Sequence, residues 1–302
     1  MVAVGVPLGP RPPYGSREPG GFRLSLGIVI KGPEGLVLAA ESRLTLMAEN
    51  NETHEKLPVS YDNATKLLSF SGAHENYGVV TYGQAVIGLR TAASFAPEFE
   101  SKLGEERLPV AEFAANLSSF FFGQWQAVMP ADPKIPNMTF LVAGFDPPEP
   151  YGRVFQIEIP RSPTPVELNP GEGAFGISWG GQRETVDRLI RGYDAALPDS
   201  VTTALGLDSE AQEKLETALK RFQLPVPLAA MPLQDCVDLA ILFIRTTIAT
   251  QALTVGLRGV GGPIDVATIT RSGGLTFVQR KRITGEHDRS NPETVSRHAN
   301  DA

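Results

Sequence analysis

The 302-residue chain contains a single cysteine and four histidines. A disulfide framework and a cysteine-based metal site are therefore excluded. His54, His74, His287 and His298 show no metal-ligand spacing and read as exposed polar residues. No segment approaches the ~18 apolar residues that a membrane span requires. The opening "MVAVGVPLGPRPPYGSREPGG" lacks the basic start and long apolar stretch of a secretion signal. Positive charge is also scarce: 27 Lys and Arg stand against 34 Asp and Glu, a net charge of -7. A phosphate backbone demands the opposite balance. These absences predict no nucleic-acid or membrane partner, no metal or other cofactor, and a soluble, reducing, cytoplasmic setting.

What is present is an ordinary globular composition, 42% hydrophobic and 20% charged, able to bury a sizeable core. The Pro/Gly-rich residues 1–21 read as a flexible arm, and the polar residues 284–302 as a disordered tail. Between them, residues 22–283 read as one domain. Its opening, "FRLSLGIVIKGPEGLVLAAESRLTL", predicts two strands around the turn "KGPEG". A polar connection, "MAENNETHEKLPVSYDNAT", then leads to the strands "KLLSFSGA" and "YGVVTYG".

Apolar residues at helical spacing predict helices over 84–103 and 110–129. A strand pair is expected around "PPEPYG", and a Gly-rich strand in "GAFGISWGGQ". Helices follow at 183–193, at 209–222 with a Ser209/Gln212 capping box, and at 233–253. In the last of these, "LQDCVDLAILFI", Cys236 reads as a small buried hydrophobe. Residues 192–232 read as a charged surface insertion, and a closing strand pair spans "SGG". Strands grouped in blocks with helices between them indicate antiparallel sheets covered by helices, an α+β fold.

"GIVIKGPEGLVLAAESR", "TFLVAGFDPPEPYGRVFQIEIP" and "GGPIDVATITRSGG" resemble, in this order, the opening, middle and closing hairpins of the proteasome β-type family of N-terminal-nucleophile hydrolases. "GGQRETVDRLIRGY" and "VGGPIDVA" are similar to the bacterial Anbu-type proteasome homologues. The resemblance spans roughly residues 24–280. It implies a four-layer α-β-β-α sandwich and assembly into a ring of like subunits, with a possible unfolding or gating partner and peptide substrates.

The chemistry of such a family has a definite physical demand. A hydroxyl is a weak nucleophile at neutral pH and needs a base beside it. A residue at the chain's start supplies one in its own α-amine, whose pKa is ~8. A nearby lysine favours the ionised hydroxyl, and a carboxylate holds that lysine. The resemblance places the acid at Glu41, the lysine at Lys66 and a supporting base at Arg43. Counted back without gaps, the nucleophile falls on Ser25. An ungapped register puts the oxyanion-stabilising N–H at Val80, and Gly180 and Gly181 form a Gly-rich loop suited to tight turning.

Ser25 has a second reading, as an ordinary residue of the alternating strand "FRLSLGIVI"; a shift of one or two residues would put Leu26 or Gly27 at the nucleophile position, and neither can act. The family's serine- and aspartate-bearing supports are replaced by "SWGGQ" and "LTVGLRGVGG", and Leu24 stands where self-cleaving members carry glycine. Three functions remain open at this level: a peptidase subunit, a non-catalytic subunit of a ring, and an acylase for small amides. While residues 1–24 stay attached, the Ser25 nitrogen is an amide and cannot accept a proton. The isolated protein is expected to keep this arm and to show little peptidase activity alone. N-terminal sequencing checks this, and a dominant chain beginning at Ser25 with peptide hydrolysis overturns it.

Overall fold

The computed structural model describes residues 25–49 and 56–285. The arm, most of the tail, and His54, His287 and His298 lie outside the described residues. Two five-stranded antiparallel sheets dominate. The first is ordered β12 (Gly176–Gly181), β1 (Leu26–Lys31), β2 (Leu36–Glu41), β13 (Ile264–Thr270), β14 (Gly274–Gln279). The second is ordered β11 (Ser162–Leu168), β10 (Arg153–Ile159), β9 (Met138–Gly144), β6 (Gly78–Gly83), β5 (Leu67–Ser69). Among the described residues no helix is long and apolar enough to cross a membrane.

β1 and β2 are buried at every position, as expected of strands covered on both faces. Alternate residues go to opposite sides. Val29, Leu38 and Ala40 pack with Leu67, Val80, Leu141 and Val154 of the other sheet. Ile28, Ile30, Val37 and Ala39 instead pack with Val237, Ala240 and Phe243 of α6 (Leu233–Ala252) and Val186 of α3 (Glu184–Arg191). The second sheet turns Val79, Phe140 and Ile157 toward Phe95 and Phe99 of α1 (Ala92–Glu100) and Phe113, Phe121 and Trp125 of α2 (Val110–Val128). Cys236 is buried in the α6 face.

The structure departs from sequence expectation at several places. The polar connection at 47–65 carries a separate two-stranded hairpin, β3 (Leu44–Glu49) and β4 (Lys56–Tyr61), joined to neither large sheet. Residues 84–91 do not begin a helix. They form the small hairpin β7 (Val86–Ile87) and β8 (Arg90–Thr91), with Gly88 at φ 59° between the strands. α1 starts only at Ala92, where the Thr91 hydroxyl accepts from Ser94 N. β11 was not foreseen because it contains two prolines; it is tolerated as an edge strand, where a missing N–H breaks no central ladder. Asp208, rather than Ser209, caps α5 (Ser209–Leu219), accepting from Ala211 N at 2.9 Å. His74 is buried beside Tyr77 and Phe113 and is not an exposed polar residue.

The inserted segment holds α4 (Leu197–Leu205) and α5, and neither has a buried residue. Its last part differs: Leu228 and Met231 pack on the α6 core. Replacing Pro198–Pro227 by a Gly/Ser linker is therefore expected to leave a cooperatively unfolding domain, followed by circular dichroism against temperature. A wholly insoluble product would place the segment in the core.

Candidate functional site

Ser25 stands immediately before β1, outside the strand, with φ 81°. This left-handed conformation costs an L-residue about 1–2 kcal/mol. The surrounding backbone enforces it. Ser25 N donates to Gly259 O at 3.0 Å, and Ser25 O accepts from Gln182 N at 2.7 Å. The close approach of the 181–182 backbone requires glycine: Gly181 has φ 89°, and a Cβ there would strike the Ser25 carbonyl. Gly180 pairs with Gly27 across β12 and β1, and the Tyr82 ring occupies the space that side chains at these two glycines would need. Gly180 and Gly181 thus serve close packing beside Ser25.

Lys66, at the entry to β5, is 6% exposed, and its Nζ lies 2.8 Å from Ser25 Oγ. The same amine donates to Glu41 Oε1 and to the Arg43 carbonyl. Glu41, at the end of β2, is 1% exposed. Its Oε1 also accepts from Leu26 N at 3.2 Å, and its Oε2 from Arg43 N at 2.7 Å and Gly261 N at 3.0 Å. Burial holds the Lys66 amine below the usual lysine range, with Glu41 pulling the other way and Lys281 and Arg43 adding to the lowering. Ser25, Glu41 and Lys66, distant in sequence, therefore meet in one hydrogen-bonded group.

Arg43 joins this group through its backbone, donating to Glu41 and accepting from Lys66. Its guanidinium reaches away, forking onto Asp62 at 2.6 and 2.8 Å and donating to Arg258 O at 3.2 Å. The hydrogen bonds to Asp62 raise the guanidinium further and hold the Asp62 carboxyl below its ordinary range. Asp62 was not foreseen, because it lies in a polar stretch without any pattern that marks one acid among several.

Val80 is fully buried in mid-β6, paired with Leu67 and Leu141, and does not line the cleft at Ser25. Thr81, Tyr82, Gly83 and Gln84 line that cleft instead. Gly83 has φ 87° and passes against the Asn137 carbonyl, where a side chain does not fit. The signal for it was visible in "TYGQ", a glycine ending an apolar strand.

The charges in this group differ in what their loss would cost. Removing Lys66 leaves Glu41 as a buried carboxylate without its counter-ion, a loss of about 3–5 kcal/mol. The Asp62 side chain is 45% exposed, so solvent screens its pair with Arg43, and its loss costs about 1 kcal/mol or less. Thermal unfolding is expected to show Lys66→Ala far less stable than Asp62→Asn. Equal effects would refute the assignment of Glu41–Lys66 as the dominant pair.

No protein-family model matches the chain, and no curated protein matches it. Among solved structures, a mutant of Anbu from Hyphomicrobium sp. strain MC1 superposes with a TM-score of 0.50 at 16% identity, covering 88% of this chain and 92% of that one. A second Anbu structure from the same strain gives 0.49 at 16% identity, over 89% and 94% of the two chains. At this identity the likeness concerns architecture, and the chain shares the fold of Anbu over most of its length.

Proposed function

We propose that the chain is a proteasome-like hydrolase of N-terminal-nucleophile type, built as a four-layer α-β-β-α sandwich and cleaving peptide amides with Ser25. The observation that carries this reading is the 2.8 Å contact between Ser25 Oγ and the buried amine of Lys66. Two further features support it. Ser25 occupies a strained backbone conformation, which is a common mark of functional positions. It also borders a small cleft of about 20 Å³.

The contacts of Lys66 support the following proton path. At rest the Lys66 amine donates to Glu41, to the Arg43 carbonyl and to Ser25 Oγ. Once it loses a proton, the first two contacts keep its N–H groups and the lone pair faces Ser25 Oγ. The hydroxyl proton moves to that lone pair while the Oγ electron pair forms a bond to the substrate's carbonyl carbon. Lys66 then returns the proton to the departing amine as the C–N bond breaks, leaving an ester on Ser25. Water, giving a proton to the same amine, adds to the ester carbonyl carbon; the C–Oγ bond breaks and Lys66 returns the proton to Ser25 Oγ, releasing the acid. This path does not use the α-amine, although a cut before Ser25 would add a second base and open the approach.

A ring of identical subunits, with peptide breakdown as its role, belongs to the same proposal, as do a gating or unfolding partner and a cytoplasmic location. The apolar residues of α1 and α2 do not argue for assembly, since they are taken up by the core. One observation favours a second reading, a non-catalytic subunit. Among the described residues the group receiving Ser25 N is the backbone carbonyl of Gly259, without a side-chain acid or hydroxyl to orient a free amine.

A base must be neutral to act, so hydrolysis should rise with pH through the lowered value of Lys66 and level off before the ordinary lysine value of 10.5. With the chain cut before Ser25, fluorogenic peptide amides should show this limb. Ser25→Ala should abolish turnover, and Lys66→Arg should lower it by about 100-fold or more. Hydrolysis that survives Ser25→Ala would refute the catalytic reading.

A further inference from the structure

We infer that Ser25 accepts acyl groups from extended peptides whose reacting residue is small and uncharged, an inference that rests on the catalytic reading above. The cleft at Ser25 is walled by Leu44, Ala64, Thr81, Ala85 and Ala92. Of these, Ala64 and Ala85 are partly exposed, while Thr81 and Ala92 are buried. An acyl carbon bonded to Ser25 Oγ places its side chain against these walls, which enclose only about 20 Å³ and so favour a short side chain over a long rigid one.

Among the described residues the only charged group lining the cleft is Lys66, and its three hydrogen-bonding directions are taken by Glu41, Arg43 and Ser25. An incoming carboxylate, ammonium or guanidinium would lose water without gaining a counter-ion, the costliest form of burial. The preference therefore runs to Ala-, Val- or Thr-sized residues and against Glu, Arg and Phe.

The substrate's length follows from a second observation. The cleft continues, through the shared residues Leu44, Ala64, Thr65 and Thr91, into a groove of about 580 Å³. The end of the β3–β4 hairpin, Ser60 to Asn63, forms one side of that groove, and the start of α1 lies opposite at Ala93. Tyr61, 57% exposed, stands at this border. Asp62 also lines the groove, but its carboxylate is committed to Arg43. A groove of this size holds several residues of an extended chain, whereas a small amide would occupy the cleft alone.

The experiment measures kcat/KM for fluorogenic tetrapeptide amides with Ala, Val, Glu, Arg or Phe at the reacting position, alongside blocked single-residue amides of Ala and Val. It uses the full chain and the same chain carrying a protease site before Ser25, cut after folding. Ala and Val tetrapeptides should exceed the Glu, Arg and Phe tetrapeptides at least tenfold, and should exceed their single-residue amides at least tenfold. Ala85→Glu should raise the Arg substrate relative to Ala, and Tyr61→Ala should raise KM for tetrapeptides alone. If Ala85→Glu does not fold, Leu44→Ala provides the wall test by improving the Phe substrate.

Turnover that is lost in Ser25→Ala but indifferent to charge, size or length overturns this inference and leaves the catalytic reading standing. A preference that neither wall variant alters overturns the assignment of the cleft. Turnover of none of these amides by either form overturns the catalytic reading, and this inference with it.

Discussion

The site depends on placing one lysine side chain almost wholly out of bulk water, with only its edge at the cleft. Burying a lysine opposes its charge, and the chain answers with a buried carboxylate in contact. That carboxylate is itself held by three backbone N–H groups, from Leu26, Arg43 and Gly261. They belong to the start of β1, the residues just after β2 and the loop before β13. Glu41 thus fastens three separate segments while presenting Lys66 to Ser25. A charge pair with this many partners has little freedom to rearrange, because each alternative leaves a buried polar group unsatisfied.

The surrounding backbone is drawn close to make this possible. The loop at 259–262 supplies the acceptor for Ser25 N, the acceptor for Ser42 N and one donor to Glu41. Gly261 lies against the Arg43 guanidinium, and Gly262, with φ 74°, passes over the Asp62 carbonyl. Arg43 and Asp62 therefore connect the foot of the β3–β4 hairpin to the same loop. The hairpin is joined to neither large sheet, yet it ends on the group that holds the reactive residues and borders the groove leading to them.

Architecture and chemistry stand on different footings. Likeness to Anbu at 16% identity establishes the arrangement of strands and helices. It carries no residue's role across, since a fold hosts many functions. The functional reading rests instead on distances within this chain, above all the contact of Ser25 with Lys66 and of Lys66 with Glu41. That Ser25 N has, among the described residues, only the Gly259 carbonyl as partner pulls against it, which makes the state of the N-terminus the decisive chemical variable.

Much of the fold was legible in the chain itself. Runs such as "GIVI" and "LVLAA", apolar on both alternations, determine strands buried on two faces, and the helical spacing of 110–129 and 233–253 determines the helices that cover them. Resemblance added the trio Ser25, Glu41 and Lys66. The hairpin at 44–61 was hidden by its polar content, and the burial of Val80 away from the cleft follows from how far β6 extends, which counting along a chain ignores. Only the tertiary structure decided that Glu41 and Lys66 are buried partners rather than solvated charges, that Asp62 engages Arg43, and that Ser25 leaves the strand with a positive φ. The physical reason is that hydrophobic periodicity is local, whereas desolvation and hydrogen-bond satisfaction depend on neighbours brought from elsewhere in the chain.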